Sequence, residues 1–130
     1  MPALNFQKQF APLVESGEKR QTIRAYRKDG RDPKVGDRLY LYTGMRTKQC
    51  RKLGEAVCTA SRGMFIQRNG LTSDDPNIPA DLDTFAASDG FKSFTAMRDW
   101  FHKTHGLPFN GVLIRWGEIE SQQPGGDRDG

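Results

Sequence analysis

The sequence predicts an α+β chain: a small, curved β-barrel with peripheral helices. Three observations carry this. Alternating stretches dominate, as in residues 37–43, where Leu39 and Leu41 fall on one face and Tyr40 and Tyr42 on the other. Helical spacing returns at intervals, in Phe10, Leu13 and Val14 and again in Phe94, Met97 and Phe101. The 130 residues leave room for one ordinary core and not for two. Periodicity by itself gives mixed α and β and leaves the strand order open.

Leu4 and Phe6 alternate like a strand and open the sheet. Residues 7–16 read as a short helix. Pro12 fits only its first turn, so the helix starts near Gln9. Gly17 stops it, because left-handed geometry costs glycine little. Residues 20–26 are the second strand, with Thr22 and Arg24 sharing a face with Arg20 and Ile23 turned to the core. Lys28-Asp29-Gly30 and Asp32-Pro33 make residues 27–36 a loop. After the strand over 37–43, residues 44–49 form a basic loop carrying Arg46 and Lys48.

Residues 52–64 read as another strand, with Ala56 and Cys58 on one face and Val57 and Thr59 on the other. Gly54 and Gly63 mark bulges or ends, and Phe65 and Ile66 begin one more short strand. Residues 69–79 form a loop rich in Gly, Asp, Asn and Pro. Residues 80–88 suit a short helix with Leu82, Phe85 and Ala86 inward. Ser93 is the N-cap of a helix running to His105, closed by Gly106. Residues 111–119 are the final strand. Residues 121–130 are polar and Gly/Pro-rich, so a disordered tail is expected there.

Composition narrows the class. The apolar fraction is 35%, and the 14 glycines bring it to roughly 45%, a globular value. No run approaches the roughly 20 apolar residues of a membrane helix, and the first six residues lack the basic start and apolar centre of a signal peptide. Cys50 and Cys58 do not make a Cys-x-x-Cys site, so free thiols in a reducing cytoplasm are expected. Net charge is +4, but it is segregated. Residues 18–52 hold 12 Lys/Arg against 4 Asp/Glu, and residues 74–89 hold 5 Asp and no base. A positive surface beside an acidic lobe suits a polyanion. With Tyr26, Tyr40 and Tyr42 interleaved, it suits RNA or a nucleotide, since aromatic rings stack bases while cations hold phosphates.

The chemistry concentrates in residues 17–24, where Lys19, Thr22 and Arg24 fall close together. A lysine there can bind an anion, or it can activate the hydroxyl if burial or a neighbouring cation lowers its pKa. A solvated charged turn is the plain alternative. Asp89, before Gly90 and Phe91, can position a water, orient Lys19 or accept from a substrate amine; the plain alternative is an acid in a glycine turn. Asp99, His102 and His105 fall at steps of three on one helix, which leaves a divalent metal open, although a solvated helix end explains them as well. Trp100 and Trp116 read as core or pocket wall.

The order Phe10, Gly17, Lys19, Thr22, Arg24, then Val35-Gly36-Asp37 and a tyrosine-rich strand, resembles the ASCH family, a PUA-like group of RNA-associated domains. Asp89-Gly90-Phe91, Trp100-Phe101 and the closing run from Pro108 to Ile114 extend the likeness over roughly residues 4–119. It implies a PUA-like barrel over residues 1–120 and a partner that is RNA, a nucleoside or a nucleotide. In members similar to acetylcytidine amidohydrolases, a lysine and a threonine stand where Lys19 and Thr22 are, with a glutamate where this chain has Asp89. The shorter acid withdraws the carboxylate by about one carbon–carbon bond, and misplacement near 1 Å costs on the order of a hundredfold in rate.

The first functional expectation is a hydrolase acting on single-stranded RNA. Lys19, Thr22 and Asp89 are its catalytic candidates, and Arg24, Tyr26, Tyr40, Arg46 and Lys48 bind substrate. The alternatives are an amidohydrolase that removes an acyl group from cytidine, with Lys19 as base and Thr22 as nucleophile, and a non-catalytic reader of modified bases. Lys19 at a strand entrance is expected to carry little packing, so that Lys19→Ala spares the fold.

Overall fold

The computed structural model describes residues 3–120; the expected tail at 121–130 lies outside the described residues. The elements run β1 (Ala3–Phe6), α1 (Ala11–Ser16), β2 (Gln21–Ala25), β3 (Arg38–Thr43), β4 (Arg51–Gln67), β5 (Gly70–Ser73), α2 (Leu82–Ser88), α3 (Phe94–Thr104) and β6 (Phe109–Trp116). Pro12 sits in the first turn of α1, where its missing N–H costs nothing. Gly17 ends that helix at φ 88°, and its N–H donates to Val14 O. Ser93 caps α3 by accepting from Ala96 N–H at 3.1 Å.

The six-stranded sheet is open, which corrects the closed barrel. Its order is β1-β3-β4-β6-β2, with β5 paired to β4. β1 runs parallel to β3, and the other pairs are antiparallel. β1 and β2 are therefore the two ends of the main path, and they are not laddered to each other. A side chain spans the seam instead: Arg24 Nη2 of β2 donates to Asn5 O of β1 at 2.5 Å.

Two further expectations change. Phe65 and Ile66 do not begin a new strand, because β4 continues through them to Gln67. Part of the stretch read as a loop over 69–79 is β5, which forms a hairpin with the end of β4.

β4 reaches that length by serving two cores. Leu53, Ala56 and Cys58 pack in a cluster with Leu39, Leu41, Phe6, Phe10 and Val14. Met64 and Ile66 pack in a second cluster with Ile23, Phe85, Met97 and Phe101. Of these five β4 residues all but Leu53 are even-numbered, so an unbroken period of two would leave those four on one face. A register shift between Cys58 and Ala60 turns the later residues over. β6 divides likewise: Val112, Ile114 and Trp116 join the first cluster and Phe109 and Leu113 the second. β2 lies against β6 in the register Thr22↔Ile114, Ile23↔Leu113 and Arg24↔Val112. Gly111 permits this, since a Cβ there would stand 2.2 Å from Arg24 O.

Candidate functional site

The seam between β1 and β2 opens into a cavity of about 490 Å³. Residues 3–6 form one wall and residues 22–25 the other. Phe10, Phe91, Trp100 and Phe101 give it an aromatic floor, joined by His105. The rings meet edge-on or tilted, with Phe91 and Trp100 centroids 5.8 Å apart.

Lys19, Thr22, Arg24 and Asp89 all line this cavity. Gly17 turns the chain out of α1, and Lys19 N–H then donates to Leu13 O at 2.9 Å, which directs the lysine inward. Lys19 is 2% exposed and Asp89 3%. The ammonium lies 3.3 Å from Asp89 Oδ1 and also donates to the Asp89 backbone carbonyl. That carbonyl closes α2, so Lys19 is a cation at a helix C-terminus, the end that favours positive charge. The turn after it needs Gly90, at φ 93°, where a Cβ would stand 3.0 Å from the Phe10 ring.

The electrostatics are set by burial. Loss of water pulls Lys19 below its ordinary 10.5, helped by the Arg24 charge and opposed by Asp89. The same loss lifts the Asp89 carboxyl above its ordinary 3.8, against the pull of Lys19, Gln21 and Arg24. Arg24 is drawn down to about 10 by burial, Asp89 opposing, and so remains a cation at neutral pH. Lys19 stands 4.9 Å from the centroid of Phe10, and the Arg24 guanidinium 4.9 Å from that of Phe6; cations over aromatic faces are attracted. Arg24 Nε is buried and has no hydrogen-bond partner among the described residues. An uncommitted buried donor on a cavity wall is a ready contact for an acceptor such as a carbonyl or phosphate oxygen.

The other expected binding residues do not line this cavity. Tyr26 is largely exposed, with its hydroxyl beside Gly63. Tyr40 lies on the opposite face of β3 from the buried Leu39 and Leu41, its ring 5.3 Å from the Lys52 ammonium. Arg46, at φ 68°, and Lys48 belong to the exposed turn between β3 and β4. Asp99, His102 and His105 do not converge. Among the described residues no three His, Cys, Asp or Glu side chains come together to hold a metal ion. Asp99 pairs with Arg98 at 3.1 Å, and His105 packs 4.9 Å from Phe109. Both cysteine thiols are free, and no helix among the described residues is long and apolar enough to cross a membrane.

Sequence reasoning missed Gln21, Arg115 and Asp75. Gln21 Nε2 donates to Asp89 Oδ1 at 3.4 Å. Arg115 Nε donates to Gln21 Oε1 at 3.3 Å, and its Nη1 pairs with buried Asp75. The cross-strand register Gln21↔Arg115 creates this chain, and no local spacing announces it. Asn5, whose carbonyl anchors Arg24, carries no local signal either.

No protein-family model matches the sequence, and no curated protein matches it. Solved structures do. The chain is similar to the ASCH protein of Zymomonas mobilis at 15% identity and a TM-score of 0.50, covering 91% of this chain and 67% of that one. Two variants of that protein align similarly. A Ser→Ala form gives 14% identity and a TM-score of 0.54 over 91% and 68% of the two chains. A Tyr→Phe form gives 14% and 0.52 over 91% and 69%. These structural neighbours are ASCH proteins, and at this identity the likeness is one of fold.

Proposed function

We propose that this chain is a nucleoside-directed hydrolase that cleaves an acyl group from the exocyclic amine of a modified base. One observation carries the reading: a lysine drawn below its ordinary pKa shares a single aromatic-floored cavity with a threonine, an aspartate and a buried arginine. The cavity is of the size that takes one small molecule, and its rings suit a base. The sequence resemblance to ASCH domains implies a substrate related to RNA, and the fold likeness to an ASCH protein agrees with that resemblance.

In this mechanism the neutral Lys19 amine takes the Thr22 hydroxyl proton as Oγ1 attacks the acyl carbon. The carbon–nitrogen bond breaks, and Lys19 returns the proton to the departing amine. A water oriented by Asp89 then attacks the threonyl ester, giving up a proton to Lys19; as the carbon–Oγ1 bond breaks Lys19 passes that proton to Thr22 Oγ1, and the freed acid leaves and ionises to carboxylate. Arg24 holds the substrate, with Nε as the free donor. Hydrolysis of N4-acetylcytidine, followed by release of acetate and cytidine, tests the reading. No release across pH 6–10, with folded protein, rejects it.

A second reading is cleavage of single-stranded RNA. It is favoured by Arg27 on the cavity rim and by Lys28, Arg31 and Lys34 in the same loop. Here Lys19 and Arg24 stabilise phosphate charge. A short RNA then binds more weakly as salt rises, because phosphate contacts release counterions. Cleavage of that RNA by a preparation inert toward acetylcytidine selects this reading over the first.

A further inference from the structure

We propose that Gln21, held by Arg115 and Asp75, is a positioning residue that fixes Asp89 Oδ1 against Lys19 and leaves Oδ2 as the oxygen available to the cavity. Two contacts carry this. Lys19 Nζ and Gln21 Nε2 both approach the same oxygen, at 3.3 and 3.4 Å. The orientation of the Gln21 amide is settled by chemistry: Arg115 has donors and no acceptor, so the atom 3.3 Å from its Nε is the amide oxygen. The amide nitrogen is thereby turned on Asp89.

Arg115 is fixed in turn. Its guanidinium pairs with Asp75, which is buried and accepts from Asn77 N–H at 3.0 Å. A cation is therefore linked to the Asp89 carboxylate through one polarised amide. Gln21 sits in β2 and Arg115 in β6, paired strands, so the link is built into rigid backbone. The charged groups acting on Asp89 directly are Lys19 and Arg24; Arg115 and Asp75 act through Gln21. A fixed donor favours the ionised carboxylate.

The proposal deepens the hydrolase reading and rests on it for its kinetic arm alone. Gln21→Met removes both contacts at similar volume. Gln21→Glu keeps the acceptor for Arg115, removes the donor and sets a second carboxylate beside Asp89. In protein carrying carbon-13 aspartate, with the Asp89 signal assigned by Asp89→Asn, the Asp89 titration is expected to move up in both variants and further in Gln21→Glu. On acetylcytidine, kcat falls about tenfold with KM little changed, the size of one lost hydrogen bond to a charged group. A merely structural Gln21 predicts that folded Gln21→Met leaves the Asp89 titration where the parent has it, whereas the added carboxylate of Gln21→Glu raises it in either case. A parent-like Asp89 titration in folded Gln21→Met overturns the proposal. An inert parent protein rejects the hydrolase reading instead, and the titration still decides the role of Gln21.

Discussion

Two acid–base pairs, one reaching the cavity rim through Arg27 and one lining the cavity, behave in opposite ways. Arg27 and Asp29 meet at 3.0 Å with side chains 53% and 45% exposed, and Lys19 and Asp89 meet at 3.3 Å with 3% and 4%. In the exposed pair the Arg27 hydrogen bond holds the Asp29 carboxyl down to about 2. In the buried pair desolvation outweighs the partner, so Asp89 rises and Lys19 falls. Pairing at similar distance gives opposite shifts because water, not the partner, decides the cost of charge. The exposed pair is a solvated surface contact of little energetic weight. The buried pair makes a lysine that can give up its proton.

The largest effect expected from breaking this contrast is at Lys19. Lys19→Arg keeps the charge but cannot act as a base. Turnover of acetylcytidine should fall on the order of 10²–10⁴-fold while nucleoside binding persists, read by steady-state kinetics and calorimetric titration. Full turnover by the arginine variant means that Lys19 is an electrostatic clamp. Lys19→Ala does more than the sequence suggested. Its burial and its bonds to Asp89 imply a loss of about 3–5 kcal/mol in denaturant unfolding, because a buried carboxylate loses its partner.

Asp89→Asn comes next. Removing the charge that holds Lys19 up lets the lysine pKa fall further. The rising limb of the pH–rate profile, which reports deprotonation of the Lys19 base, should move to lower pH, and the maximal rate should drop by about a hundredfold. A limb that stays in place separates Asp89 from the lysine titration. Gly90→Ala tests the turn that delivers Asp89. The positive φ and the nearby Phe10 ring together predict a loss of about 1–3 kcal/mol in thermal or denaturant unfolding. Wild-type stability there would mean that the turn relaxes freely.

Acid unfolding sharpens the contrast with a smaller effect. Asp29 is lowered on folding, so its contribution is present above about 3.8 and is lost as pH falls toward about 2. Asp89 is raised, so its penalty appears as pH climbs from 3.8 through its folded value, and acidification relieves it. Asp29→Asn should flatten the loss of stability on acidification between about pH 4 and 2. Asp89→Asn should remove the opposite slope above 3.8. Equal slopes in both variants would refute the comparison. Smallest of all, Arg46→Ala and Lys48→Ala should leave acetylcytidine KM within about twofold, since neither residue lines the cavity. A larger change would bring their loop to the substrate.

The sequence carried the local rules. Alternation located the buried faces of Leu39 and Leu41, Ser93 announced α3, and Gly17 ended α1 as its freedom at positive φ allows. The crowding of Lys19, Thr22 and Arg24 was also legible, because residue type and spacing limit the chemistry on offer; spacing alone left Asp89 an acid in a glycine turn, and only the fold set it against Lys19. Tertiary structure decided the remainder. One register shift in β4 divided the interior into two cores, and the unladdered ends β1 and β2 left a seam where a closed barrel was expected. Burial changed Lys19 from a strand-entrance charge into a pKa-lowered partner of Asp89, 70 residues away. Pairing between β2 and β6 joined Gln21 to Arg115, 94 positions apart. Propensity and capping act over a few neighbours, so they are written in order along the chain; desolvation and cross-strand register depend on which distant residues displace water, and that is settled only when the chain closes on itself.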